Sequence, residues 1–479
     1  VLTVEDISAL VSRMWLLHVK EMGKFDRIHG YISGDLGRPS LPTDADEEIK
    51  AIRDMCVKNV LTVVRDTFAQ NLSVVGYRRA TSRQNLPGWE LWQRNRMDAR
   101  QAEIYRPALT YGVGYVTVTP SDDGPVFRPR SPRQLIAVYD DPQVDEWPQY
   151  ALETWIDYTD AKPRRKAMLF DDQFIYPCDL GEAPSPTLET DEQLTRMVTN
   201  IRAEGVSAPI RHKAGVCPVI RYVNGRDSED LIVGEVEPLI ELQRAINEVN
   251  FDRLIVARFG AFPQKVIVGW SGSKSEVVKA SARNTWTFED DTVKASTLSA
   301  ATTTPYNEIL DEMIDQVALV AQISPVHAKG KMANLSADAL AAAESNQQRK
   351  LQSKRDSFGE AHEQLFRVGS AMNGDTQTAE DTEAEVVWRD TEARSFAAVV
   401  DGIVKLATLD PSLLEPLLPM IPGLSQQQIV AVQEARRASN VTNILTALQN
   451  VKPGAPDGGV GAGTPVPPQP GQPASPDAA

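Results

Sequence analysis

The sequence predicts an α+β fold, and three observations lead to it. Apolar residues recur at three- and four-residue spacing toward both ends of the 479-residue chain. Between about residues 112 and 222 the pattern changes to short β-rich segments separated by Pro and Asp turns. Long helices do not alternate with those segments, which separates the chain from doubly wound α/β proteins. At about 150 residues per domain, the length corresponds to about three domains. The 42% of apolar residues supply a sizeable core.

The elements follow in order. Ile7, Leu10, Val11, Met14 and Leu17 give the stretch from Val4 to Lys20 a helical face. Gly30, Gly34, Gly37, Pro39 and Pro42 mark a turn-rich stretch at 29–43. A second helix is expected from Asp46 to about Asn71, with Thr43 near its start, and a third from Trp89 to Leu109. Strands are expected at 112–119, 135–139 and 150–157. Helical spacing resumes at Ser228 and continues to Arg258, with Leu239, Leu242, Ile246, Val249 and Val256 on one side; Pro238 suits a kink or a helix start. Residues 262–297 turn β-like again. Helices then run from Pro305 to Ile323 and from Ser336, a good N-cap, to about Met372. A strand is expected at 385–388 and a small helical domain at 392–450. The last 29 residues hold eight Pro and six Gly and are expected to be disordered.

Composition excludes several classes. The net charge is −15, unlike proteins that coat nucleic acid. No run approaches the ~20 apolar residues of a membrane span, so no membrane partner is expected. Glu5 and Asp6 precede the first apolar positions, the wrong order for a signal peptide. Cys56, Cys178 and Cys217 are odd in number and lack a CxxC pair, so neither a disulfide framework nor a zinc site is expected, and a reducing cytoplasm is the expected place of folding.

Candidate catalytic motifs fail on inspection. The stretch from Gly269 to Ser275 imitates a phosphate loop, but Ser273 stands where Gly must precede Lys274. His362-Glu363 begins an HExxH motif that Phe366 ends. His18, His29, His212, His327 and His362 include no pair at ligand spacing. Asp140-Asp141 and Asp290-Asp291 read as turn chemistry. No catalytic, cofactor-binding or metal-ligating residues are expected, and no cofactor.

Charge pattern is the informative feature. Between Asp227 and Arg258 eight acids face three arginines, a net of −5. From Pro305 to Ile323 there are four acids, Glu308, Asp311, Glu312 and Asp315, and no base. Their i, i+3, i+4, i+7 spacing puts them on one helix face, with Ile309, Met313, Val317 and Val320 expected on the other. The intervening ~40 residues are β-like. The following loop, 324–335, reverses sign with His327, Lys329 and Lys331 around Gly330.

This order of pieces resembles the portal (head-to-tail connector) proteins of tailed double-stranded DNA bacteriophages, most closely the portal family of long-tailed phages. The resemblance rests on Trp92–Asp98 (WQRNRMD), Ala108–Val116 (ALTYGVGYV), Pro218–Asn224 leading to Ser228-Glu229, Leu239–Asn247 (LIELQRAIN) and Asn334–Leu340 (NLSADAL), in that order. It covers about residues 5–445.

The resemblance implies an α+β portal-type subunit: a wing at 1–227, a first stem helix at 228–259, a clip at 260–304 and a second stem helix at 305–323. A tunnel loop at 324–335, a long helix returning to the wing at 336–391, a crown at 392–450 and the Pro/Gly-rich tail at 451–479 complete it. It implies a homo-oligomeric ring, commonly of twelve subunits, at one capsid vertex of the virion, assembled in the host cytoplasm. Such a ring conducts double-stranded DNA during packaging and ejection. Its implied partners are the terminase large subunit, the major capsid protein, scaffold and the head–tail adaptor. Glu241, Glu248, Asp252, Glu308, Asp311, Glu312 and Asp315 become candidates for an acidic channel lining, and His327, Lys329 and Lys331 for the DNA-proximal loop. Another head-assembly protein, a scaffold or an adaptor, is the alternative; a hydrolase is less consistent with the absent catalytic constellation.

Overall fold

The computed structural model of the chain describes residues 1–82, 84–159, 162–183, 203–260, 265–268, 294–297, 302–324, 337–389, 391, 396–409 and 434. Helix α1 (Val4–Ser33) opens on a capping box. Thr3 Oγ1 accepts the Asp6 N–H at 3.2 Å, and the Asp6 carboxylate accepts the Thr3 N–H at 3.3 Å. The helix runs well past Lys20 and stops where Gly34 adopts a left-handed φ of 82°.

The single helix expected at 46–71 is two, α2 (Glu47–Met55) and α3 (Leu61–Asn71), separated by an irregular link. Strand β1 (Val74–Arg79) follows, an element the periodicity does not reveal. The stretch 89–109 is likewise divided into α4 (Trp89–Arg94), α5 (Met97–Arg100) and α6 (Ala102–Tyr111). Arg96, at a φ of 55°, turns the chain between the first two. The Asn95 amide stabilises that turn by donating to the carbonyls of Leu91 and Pro125 and accepting the Phe127 N–H.

The middle of the chain supplies β2 (Val113–Thr119), β3 (Val126–Arg130), β4 (Leu135–Val138), β5 (Tyr150–Asp157), β6 (Arg164–Phe170), β7 (Phe174–Glu182), β8 (Gly205–Val206), β9 (Ile210–Arg211) and β10 (Val219–Val223). They form two antiparallel sheets, ordered β10-β2-β3 and β4-β5-β6-β7-β8, with β9 also on β7. Antiparallel neighbours need no crossover helices, which is why the sequence lacks the βα alternation. The larger sheet packs Ile136, Leu152, Leu169 and Tyr176 against Ile7, Val11, Met14 and Trp15 of α1.

After β10 a 3₁₀ turn (Glu237–Leu239) leads into α7 (Ile240–Gly260). Strands β11 (Lys265–Val268) and β12 (Lys294–Thr297) pair antiparallel, and α8 (Thr304–Ala321) follows. Then come α9 (Ala337–Asn373), α10 (Thr376–Ala379) and β13 (Ala384–Trp388). Strand β13 returns to pair with β1, so residues far apart in sequence share a ribbon.

Helix α9 packs against β2, β10 and β13. Its Leu351, Phe358, Leu365 and Phe366 are fully buried, each contributing about 1.5–3 kcal/mol of apolar burial. His362 sits among them. Its Nε2 meets Tyr105 Oη at 2.8 Å and its Nδ1 meets Tyr222 Oη at 3.0 Å. Phe366, where HExxH would need its second histidine, stacks on Tyr77 at 4.3 Å. Thus His362 is a satisfied core histidine.

The chain forms two units, Val1–Ala393 and Arg394–Ala479. In the second, α11 (Phe396–Leu409) is the described helix. The expected tail at 451–479, most of the helical domain at 392–450 and the imitation phosphate loop at 269–275 lie outside the described residues.

Candidate functional site

Helices α7 and α8 lie side by side and run in opposite directions. Arg253 Nη1, late in α7, donates to Asn307 Oδ1, early in α8, at 3.1 Å, while the turn before α7 packs against α8 as well. The antiparallel pair β11–β12 stands between the two in sequence. The helix pair carries the seven acidic site candidates.

The helix expected from Ser228 begins instead at Ile240, after the 3₁₀ turn at Glu237–Leu239. Asp227 accepts the backbone N–H groups of Glu229 and Leu231 at 2.9 and 2.8 Å, a local turn that competes with helix. Pro238, with no N–H to satisfy, fits the first helical turn. The chain before it is crowded: a Cβ on Gly234 would lie 2.4 Å from the Thr110 carbonyl oxygen. This placement corrects the charge tally. Asp227, Glu229, Asp230, Glu235 and Glu237 precede α7, which keeps Glu241, Glu248 and Asp252 against Arg244, Arg253 and Arg258. Three acids and three arginines leave α7 neutral, not at −5, and the surplus of negative charge belongs to α8.

Within α7 the charges are nonetheless ordered. Glu241, Glu248 and Asp252 are exposed and fall within about 40° of one another around the axis at 3.6 residues per turn. Glu241 is held at 3.0 Å by Arg27 and at 3.5 Å by Arg244. On α8, Glu308, Glu312 and Asp315 are exposed and Asp311 is half-buried, all on one face. The opposite face buries Leu310, Ile314, Val317, Ala318 and Ala321. That differs from the apolar face expected from Ile309, Met313, Val317 and Val320. Ile309 and Val320 are 43% and 49% exposed and flank the acidic stripe.

The face of α7 opposite its carboxylates is a row of amides that the apolar pattern conceals. Gln243, Asn247 and Asn250, at i, i+4 and i+7, are all buried. Gln243 accepts the Val60 N–H at 2.9 Å and donates to the Lys58 carbonyl and to Asn247 Oδ1, both at 2.8 Å. Asn247 accepts the Lys58 N–H at 3.1 Å and donates to the Gly37 carbonyl at 2.9 Å. Asn250 donates to the Cys56 carbonyl at 2.6 Å. The break between α2 and α3 is therefore satisfied by α7. Buried backbone groups need such partners.

A buried ionic group ties α9 to the same region. Lys354 Nζ lies 2.5 Å from Glu235 Oε1 and 2.7 Å from Asn224 Oδ1, and Lys350 Nζ lies 2.5 Å from Glu235 Oε2 and 3.0 Å from the Ala321 carbonyl. Burial by itself would raise the Glu235 carboxyl; the Lys354 and Lys350 ammoniums outweigh it and hold Glu235 below the usual carboxylate range. The spacing of Lys350 and Lys354, one helical turn apart, was the available sequence signal for this pair.

His327, Lys329 and Lys331 lie outside the described residues. Asp141 accepts the Gln143 N–H at 3.0 Å, a turn contact in keeping with the reading of Asp140-Asp141; Asp290-Asp291 lies outside the described residues. Among the described residues no group of His, Cys, Asp and Glu is placed to hold a metal ion, and no helix is long and apolar enough to cross a membrane. The three cysteines are buried and unbonded.

A family model described as phage portal protein, SPP1 Gp6-like, matches residues 55–441. The portal protein of Mycobacterium phage L5 is 25% identical over 359 residues, covering 71% of this chain and 70% of that protein. The portal protein of Mycobacterium phage D29 is 26% identical over 368 residues, with the same coverage. Among solved structures, a chain from the virion of a native gene transfer agent particle aligns at a TM-score of 0.42 and 11% identity, over 83% of this chain and 96% of its own. A chain from the neck of an empty gene transfer agent particle aligns at 0.43 and 12%, over 78% and 91%.

Proposed function

Because this chain belongs to the SPP1 Gp6-like family of phage portal proteins, we propose that it assembles into a ring, commonly of twelve copies, at one vertex of the virion capsid, and that double-stranded DNA passes through that ring during packaging and ejection. On this reading α7 and α8 are the stem, the β11–β12 region is the clip, residues 324–335 are the tunnel loop and 392–450 the crown. The terminase large subunit and later the head–tail adaptor dock on the ring, whose assembly in the host cytoplasm involves scaffold and the major capsid protein. The role is structural rather than catalytic.

The observation that carries the reading is the antiparallel pair α7–α8, with a carboxylate stripe on each helix away from its packed face. Repeated around a ring, the α8 stripe, which holds the surplus, presents negative charge to DNA phosphates. Repulsion over a Debye length of about 8–10 Å keeps DNA sliding rather than adhering. Lys329 and Lys331 add a sparse cationic ring where the loop meets DNA.

The test is negative-stain imaging of the purified protein with a DNA-packaging assay. Rings with a central hole that support packaging are expected. A persistent monomer, or rings dispensable for packaging, would overturn the proposal.

A further inference from the structure

Lys350 occupies an unusual position. One ammonium, in the fourth turn of α9, reaches two chain segments that bracket the α7–α8 pair. Its contact at 2.5 Å is with Glu235, five residues before α7 starts, and its contact at 3.0 Å is with the carbonyl of Ala321, the last residue of α8. Gln347, one turn earlier, accepts the Ser324 N–H at 3.1 Å just beyond α8. Both chain ends of the helix pair therefore meet the same two turns of α9.

The group is also unbalanced. Two lysines share one buried carboxylate, leaving one surplus positive charge. The C-terminal carbonyl of α8 supplies part of the compensation, since the negative end of a helix dipole attracts a cation. The Phe68 ring supplies another part, 5.2 Å from Lys350 Nζ and 5.3 Å from Lys354 Nζ. The role of Lys354 differs: it touches Glu235 and Asn224, both on the α7 side. Of the two, Lys350 is the one that bridges.

We infer that Lys350 is a coupling residue, fastening the entrance of α7 and the exit of α8 to α9 so that a displacement of α9 moves the helix pair as one body. This goes beyond the conduit reading and stands on the contacts alone. Without Lys350, each end keeps its own attachment, Glu235 to Lys354 and Ser324 to Gln347, and the ends loosen independently.

Hydrogen exchange of the full-length protein, read by mass spectrometry, tests this separately from packaging. Lys350→Met removes the charge while keeping the length. It is expected to speed exchange at least tenfold both at Val236–Ile240 and at Ala318–Ser324. Lys354→Met is expected to speed only the first segment. Acceleration of a single segment in Lys350→Met, or of both in Lys354→Met, overturns the coupling. If Lys350→Met does not fold, Gln347→Ala and Lys350→Arg decide. Gln347→Ala should loosen Ala318–Ser324 without affecting Val236–Ile240, and Lys350→Arg should keep wild-type exchange at both. Acceleration at both segments in Gln347→Ala, or at either in Lys350→Arg, overturns the inference.

Discussion

The side-chain carbonyl of Gln243 accepts the backbone N–H of Val60 at 2.9 Å, across 183 residues of sequence. A helix that projects acids on one face is thus anchored on the other by amides that complete another segment's backbone. Such anchoring is directional, because each amide fits only its own donor and acceptor. Replacing Gln243 by Leu leaves the Val60 N–H and the Lys58 carbonyl unpaired. A loss of about 1–3 kcal/mol in urea unfolding is expected. Ala at the exposed Gln316 should stay within about 0.5 kcal/mol of wild type.

His362 predicts a pH response. Burial pushes its imidazole down to about 3 from 6.5. A group depressed in the folded state contributes stability above its unfolded value, and that contribution is lost as pH falls from 6.5 toward 3. The difference between wild type and His362→Gln in the free energy of urea unfolding, followed from pH 7 to pH 4, should shrink by up to about 1.4 kcal/mol per pH unit below 6.5.

Glu363, the next residue, acts in the opposite sense. Burial, reinforced by Glu360, pushes its carboxyl up to about 7 from 4.5. Its contribution is present below pH 4.5 and lost as pH rises through 7. Glu363→Gln should therefore be more stable than wild type at pH 8, with the gain vanishing near pH 4.5, as thermal melts across that range will report.

Ile309 and Val320 are apolar, exposed and beside the acidic stripe of α8. We predict that in a ring they meet a neighbouring copy. Ile309→Glu with Val320→Glu should abolish rings in negative stain while leaving circular dichroism unchanged; intact rings would remove this face from the interface.

Lys329→Ala combined with Lys331→Ala is expected to alter genome retention or packaging rate, with the effect weakening as salt rises. Packaging and retention equal to wild type would remove these lysines from DNA contact.

Periodicity alone determined the helices around Ile7–Leu17, at Pro305–Ile323 and in the long helix after Ser336, and the strands at 112–119 and 150–157; the portal resemblance rested on motifs such as Leu239–Asn247 and their order along the chain. These are local patterns, set by side-chain spacing within a few turns or pleats. Tertiary structure decided what depends on distant partners. The helix expected at 46–71 is broken because Gln243, Asn247 and Asn250 satisfy the link between its halves. The acidic run at 227–237 is not helical because Asp227 satisfies its own turn and Glu235 is drawn inward by Lys350 and Lys354. Net charge counted along a sequence cannot tell an exposed carboxylate from a buried, neutralised one. Nor can it place a helix start: because α7 begins at Ile240 rather than Ser228, it changed from strongly acidic to neutral, and the surplus negative charge of the helix pair came to rest on α8.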